Sequence, residues 1–284
     1  MQAEAKLLGL GVIHGLGDAG DLYKAIKQGQ EVPREVLAHA NPSELKTLLE
    51  AKALRRLPHY VCLALLAILR SIENANLHLP DLAEHCGLVL SSSSPCVSTG
   101  YDFMDSILDH GPIHASPTAF AHSVNNVATG YASVLLGLKG PSYTINQFEQ
   151  SFTSALWTAL LLLQAKRAPF VLVGGVEALD PRFLKTFPEM NTGEIPPSEG
   201  AVCFLLGHEG EGPTLELSTL AKSEKVEFAS HFKQNAKIYG LSTMPLAYEL
   251  AYARQSLKTL AKLQSIRLEQ NFNDQRVIIE LSKT

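Results

Sequence analysis

Apolar residues in this chain fall into short continuous blocks separated by glycine, proline and polar turns. That is the pattern of strands buried on both faces alternating with helices. Leu7–Ile13 predicts a buried strand that runs into the glycine turn His14-Gly15-Leu16-Gly17. Asp18 or Asp21 then caps a helix over Leu22–Gln28, stopped by Gly29. Pro33–Leu49 is polar and predicts helix only in pieces. Pro58 opens a helix reaching Asn74 that is apolar on most faces and therefore buried. A strand over Cys86–Ser92 ends in the serine-rich loop Ser91–Ser94, and a small helix follows over Tyr101–Leu108. Pro117–Leu138 begins as a loop and turns helical after Ser123 or Asn125, with Gly130 inside it.

Lys139-Gly140-Pro141-Ser142 marks a turn into a short strand, Tyr143–Ile145. The helix expected from about Glu149 to Lys166 is apolar nearly all round and should be the central buried one. Phe170–Val173 and Ala201–Leu206 read as further buried strands. After His208 the character changes. A Gly-rich turn at Glu209–Pro213 precedes a strand over Thr214–Leu220, a polar stretch over Val226–Gly240, helical periodicity over Leu246–Leu263 and a last strand over Arg276–Leu281. Strands alternating with helices give an α/β fold with a layered sheet, and no fixed-period repeat is present.

At 284 residues the chain is long enough for a large core, and its composition (46% hydrophobic, 18% charged) is ordinary for a soluble protein. The net charge of −4 comes from interspersed residues, with no basic stripe for nucleic acid. The four cysteines, Cys62, Cys86, Cys96 and Cys203, are widely spaced, without a Cys-x-x-Cys pair. They read as reduced buried thiols rather than zinc ligands or disulfides. MQAEAKLLGLGV lacks a signal-peptide pattern, and no apolar run is long enough to span a bilayer. The expectation is a cytoplasmic protein without a membrane segment, cofactor or metal. The glycine turn after the first strand lacks the spacing and the downstream acid of a dinucleotide site.

One segment carries more. GPSYTINQFEQSFTSALWTALLLLQAKRAPFVLVGGVEALDP, Gly140 to Pro181, resembles the active-site segment of β-ketoacyl synthases, the condensing enzymes of fatty acid and polyketide synthesis. LLGLGVIHGLGDAGDLYKAIKQGQ is similar to that family's opening strand, turn and helix, and Leu54–Leu77 to its first long buried helix. Ser116–Ser142 resembles the stretch at its dimer interface, and VLVGGVEAL and PSEGAVCFLLG the strands after the nucleophile helix. The resemblance runs from about residue 7 to 207. It implies a thiolase-like, layered αβαβα fold with the second repeat abbreviated. Residues 1–284 would form a single synthase-like domain, 1–207 its N-terminal part and 208–284 a shortened C-terminal part.

The departures bear on function. The family's acyl-accepting cysteine is the ninth residue after the glycine of the Gly-Pro turn, and from Gly140 that count lands on Glu149. The family also uses two histidines and a lysine from the C-terminal half. Here only His208 and His231 follow residue 207, neither in a matching context. Where the family has a Gly-Phe-Gly-Gly loop, this chain has Asn271-Phe272-Asn273-Asp274. A glutamate can activate water, but it needs a positioned partner. The structural alternative is that Glu149 accepts backbone N–H groups at the helix start, a dipole interaction of about 0.3–1 kcal/mol. Glu177 is expected to satisfy loop backbone groups, His14 and His122 to be structural, and Asn125 and Asn126 to bind turn backbone near the interface. Phe120, Asn125, Asn126, Tyr143, Phe148 and Glu149 are the interface or tunnel candidates.

The resemblance thus implies a non-catalytic partner, similar to the chain-length factors of type II polyketide and aryl polyene systems. It would pair with an active β-ketoacyl synthase as a heterodimer, and meet the acyl carrier protein through that partner. The alternatives are a self-standing acyl-thioester decarboxylase or hydrolase using Glu149, and a homodimeric scaffold or acyl-binding protein.

Overall fold

A computed structural model describes residues 2–30, 32–37, 39–186, 197–221, 235, 238, 245–272 and 275–283. Its strands are β1 (Gln2–His14), β2 (Cys86–Ser91), β3 (Ser142–Ile145), β4 (Phe170–Glu177), β5 (Gly200–Gly207), β6 (Thr214–Ala221), β7 (Ser265–Phe272) and β8 (Gln275–Ser282). They form one sheet in the order β3-β2-β4-β5-β1-β6-β8-β7. β2 is parallel to β3 and β4, and the remaining neighbours are antiparallel. The helices that matter below are α1 (Ala19–Gln28), α2 (His59–Asn74), α3 (Val97–His110), α4 (Pro117–His122), α5 (Val127–Leu136), α6 (Ser151–Gln164), α7 (Pro181–Thr186) and α8 (Pro245–Thr259).

β1 holds the two parts together. Its residues Lys6–His14 pair with β5, while Gln2–Lys6 pair with β6. Among the described residues, the part after residue 207 contributes α8 and three antiparallel strands, added to one edge of the same sheet. A bulge between Leu7 and Gly9 turns both Leu8 and Gly9 toward α2. On either side of it the alternation is regular. Ala3, Ala5, Leu7, Leu10 and Val12 pack with α1, α6 and α8, and Ile13 packs with α2 and α5. Gly9 and Gly11 let α2 lie directly on the strand: a Cβ on Gly11 would sit 1.9 Å from the Ala67 carbonyl oxygen, and one on Gly9 2.0 Å from that of Ser71.

Local chemistry explains where elements begin. Asp18 caps α1, accepting from the N–H groups of Gly20 (2.7 Å) and Asp21 (3.1 Å), so the helix starts three residues before the expected Leu22. Gly29 closes it in the left-handed region, φ 62°. Pro117–His122 is helix rather than loop, because Ser116 Oγ accepts from Ala119 N and Pro117 fills the first helical position. α3 is longer than expected and starts just after Cys96. α6 starts at Ser151 rather than Glu149, because Phe148–Gln150 tighten into a 3-10 turn. Nor is α6 buried all round: Phe152, Leu156, Leu160 and Leu163 are buried, but Leu161 is 44% exposed. The polar Val226–Gly240 stretch lies outside the described residues apart from Asn235 and Ile238, as does His231.

Candidate functional site

The segment singled out by the sequence forms a tight elbow between β3 and α6. Phe148, immediately before Glu149, has φ 49°, a left-handed backbone that a bulky residue adopts only under constraint. Its carbonyl oxygen accepts from the hydroxyls of Ser93 (2.7 Å) and Ser151 (2.7 Å). Gln147 N donates to Ser151 Oγ (2.8 Å), and Gln147 Oε1 accepts from Ser154 Oγ. The loop that supplies Ser93 is itself fixed by the buried Glu177. That carboxylate accepts from Ser92 Oγ (3.0 Å), Ser93 N (2.6 Å) and Ser94 Oγ (2.8 Å). This is the backbone-satisfying role expected of a glutamate after Gly174-Gly175. It makes the chain Glu177, serine loop, Phe148 carbonyl one hydrogen-bonded unit.

Glu149 itself is exposed. The N-cap of α6 is Gln150, with no side-chain cap hydrogen bond, and Glu149 precedes it. The carboxylate makes no hydrogen bond or ion pair among the described residues, so it does not fill the capping role expected for it. Its carbonyl oxygen accepts from Gln270 Nε2 (3.4 Å), and Gln270 Oε1 in turn accepts from the Thr153 hydroxyl. β7 from the C-terminal part thus lies against the elbow through an amide. His208 hydrogen bonds to the Leu163 carbonyl oxygen (2.6 Å) at the far end of α6. At 1.5 Å per residue, that is roughly 18 Å from the elbow. The thiols are equally remote from acyl chemistry: burial pushes Cys86, Cys96 and Cys203 up to about 12, where the thiolate is absent at neutral pH. The half-buried Cys62 is also raised by burial.

The other candidates lie on the surface around β3, which is an edge strand. Phe120 is 57% exposed, Tyr143 47% and Phe148 76%. Asn125 and Asn126 are exposed, and neither side chain forms a hydrogen bond among the described residues, so they do not bind turn backbone. α5 is fastened to β3 by Thr129–Thr144 (2.7 Å) and Ser133–Ser142 (3.0 Å) hydroxyl pairs. α4 leans on α3 through the Phe120 and Phe103 rings, 5.2 Å apart. α3, the 3-10 turn that follows it and α5 add Leu108, Ile113 and Val134 as exposed apolar side chains that sequence reasoning missed. Apolar residues on short helices are assigned to the core by pattern alone, and only their neighbours show otherwise.

Behind α3 sits an ion cluster. Arg182 donates to Asp180 (2.9 Å), Asp105 (2.8 Å) and Asp102 (2.9 Å), and stacks on Tyr101 at 5.0 Å. It ties the start of α7 to α3. The hydrogen bond from Arg182 holds the buried Asp180 carboxyl down at about 2. A depressed carboxyl stabilises the fold above its unfolded value of about 4, and that contribution is lost as pH falls toward 2. Asp180→Asn is therefore expected to lower stability at pH 7 and to flatten the acid limb between about pH 4 and 2, which denaturant melts across that range measure.

A family model for the β-ketoacyl synthase N-terminal domain matches residues 38–262. The chain belongs to the β-ketoacyl synthase family. It is 26% identical over 213 residues to 3-oxoacyl-[acyl-carrier-protein] synthase 2 of Staphylococcus aureus (strain N315), covering 71% of this chain and 50% of that protein. The chain thus spans about half the length of the curated relatives it matches. Among solved structures it is similar to "The ishigamide ketosynthase/chain length factor" (16% identity, 99% of both chains covered, TM-score 0.72). It is also similar to "Ketosynthase (ApeO) in Complex with its Chain Length Factor (ApeC) from Xenorhabdus doucetiae" (17% identity, 98% of this chain and 99% of that one, TM-score 0.65). These likenesses establish the thiolase-like ketosynthase fold. Among the described residues, no helix is long and apolar enough to cross a membrane.

Proposed function

We propose that this ketosynthase-like chain is a non-catalytic, chain-length-factor-like subunit that pairs with an active β-ketoacyl synthase of polyketide or aryl polyene type and helps shape the acyl tunnel. One observation carries this reading. The β3–α6 elbow, where the resemblance puts the family's nucleophile, is strained and locked by serines, yet it presents an exposed carboxylate with no imidazole or ammonium partner among the described residues. A thioester needs a nucleophile and a means of stabilising developing charge, and Glu149 as placed supplies neither. The elbow instead serves shape: it fixes Phe148 next to Tyr143 and β3, a sheet edge unpaired among the described residues.

In this reading the synthase docks along β3 and the surface of α3, α4 and α5. The growing chain is loaded onto the partner's cysteine, and the carrier protein is met through that partner. The two similar structures that pair a ketosynthase with a chain length factor support the assignment of partner class.

The test is co-production with a ketosynthase, followed by purification and product analysis. A stable 1:1 complex is expected, with no turnover of malonyl or acyl thioesters by the isolated chain. Glu149→Gln should leave the rate and product length of the complex within about twofold of wild type, since an exposed, unpaired carboxylate contributes little. Thioester turnover by the chain alone that disappears in Glu149→Gln would instead establish an enzyme. A stable homodimer indifferent to ketosynthase would establish a scaffold.

A further inference from the structure

At the end of the sheet remote from Glu149, three cations converge on one cavity. Arg254 and Lys258 lie one turn apart on α8, and Lys283 follows the last strand. With Leu257 and the Gly212-Pro213 turn they line a space of about 360 Å³. Lys283 Nζ donates to the Leu260 (3.0 Å) and Ala261 (3.4 Å) carbonyl oxygens just past the end of α8. Those are dipoles, not counter-charges. Among the described residues, no carboxylate forms an ion pair with any of the three.

Arg254 is the informative member. One of its nitrogens, Nη2, donates to the Leu8 carbonyl oxygen (3.3 Å), which belongs to the bulged stretch of β1. Its Nε–H is buried and has no acceptor among the described residues. Burial pulls the guanidinium below its ordinary range, with no carboxylate to offset the loss of water. A buried donor on a charged group without an acceptor is costly, and like charges one helical turn apart repel. The negative end of α8 accounts for Lys258 and Lys283 at its C-terminus, but it does not supply an acceptor to Arg254 Nε.

We propose that this cavity is a binding site for a phosphate group, held by Arg254, Lys258 and Lys283. The guanidinium offers the forked donors that fit an oxyanion, and the two ammoniums supply charge. The site is separate from the β3 edge, and its assignment does not depend on the partner proposed above.

The experiment is a titration of the full chain with inorganic phosphate at constant ionic strength, made up with sodium chloride and followed by calorimetry and by thermal midpoint. Saturable binding with a rising midpoint is expected. Lys258→Gln, which removes an exposed side chain and relieves its repulsion with Arg254, should weaken phosphate binding about two- to fivefold while the midpoint in chloride is no lower than wild type. Arg254→Gln should weaken it at least about tenfold. Should Arg254→Gln fail to fold, Lys258→Gln alone decides the matter. A midpoint that climbs without saturation, identically in wild type and Lys258→Gln, is the general stabilisation that phosphate gives any protein and would overturn the proposal. So would the absence of calorimetric binding.

Discussion

In the proposed pairing, a chain carrying both Tyr143→Asp and Phe148→Asp should fold and yet bind the ketosynthase about a thousandfold more weakly than wild type. Phe148 is largely in solvent in the isolated subunit and Tyr143 about half so, and neither belongs to the buried core. In a docked complex they would be central apolar anchors beside the sheet edge. Two aspartates there must be desolvated without partners, and losing two anchors amounts to roughly 4 kcal/mol. Calorimetry with purified ketosynthase gives the affinity, and circular dichroism checks the fold. A complex of wild-type strength would remove the β3 surface from the interface. Phe148→Ala is the informative companion, since it shortens the elbow's projection without adding charge.

Gly11→Val should have the largest effect on stability. The Cβ direction at Gly11 runs into the backbone of α2, 1.9 Å from the Ala67 oxygen and 2.6 Å from the Ser71 nitrogen. Neither atom is the end of a flexible side chain, so the helix as a whole would have to lift off β1. Overpacking of ordinary core sites costs about 1–3 kcal/mol, and a displaced helix belongs at or above the top of that range. β1 also joins both parts of the sheet, so the loss is expected to reach β6 and β8 as well as α2. Urea melts of the variant should show a midpoint far below wild type, or no soluble protein. A value within about 0.5 kcal/mol of wild type would mean that α2 is free to shift.

Much of the architecture was legible because strong local signals agree with the pattern. Asp18, Gly29 and Pro58 mark helix ends by chemistry that acts within one turn, and the apolar blocks of β1, β4 and β5 match strands buried on both faces. The polar Pro33–Leu49 stretch holds short helical pieces, as its composition implied. Errors arose where tertiary context decides. Ser116-Pro117 starts a helix too short to show periodicity. Phe148 is forced into the left-handed region by hydroxyls from residues 93 and 151, one of them distant in sequence. The sheet pairing of the C-terminal strands onto β1 follows from contacts more than 200 residues apart.

The candidate site divides in the same way. Spacing from Gly140 places Glu149 at the elbow, and Glu177, two residues after the double glycine, satisfies loop groups as its position implies. That the Glu149 carboxylate would be left without a backbone donor was not readable, because it depends on a 3-10 turn displacing the helix start by two residues. The apolar residues of α3 and α5 that face outward look like core in one dimension. The contact of Arg254 with the Leu8 carbonyl depends on a bulged strand at the other end of the chain.

β3 has one more implication, for how the cell must handle this chain. Among the described residues its outer row of amide groups is unpaired, flanked by aromatic side chains and without the lysines or the internal proline that usually discourage strand-to-strand sticking. In the proposed pairing, copies made in excess of the synthase would present that seam to one another. Matched dosage of the two polypeptides, with encounter soon after synthesis, would then keep the seam from seeding precipitates.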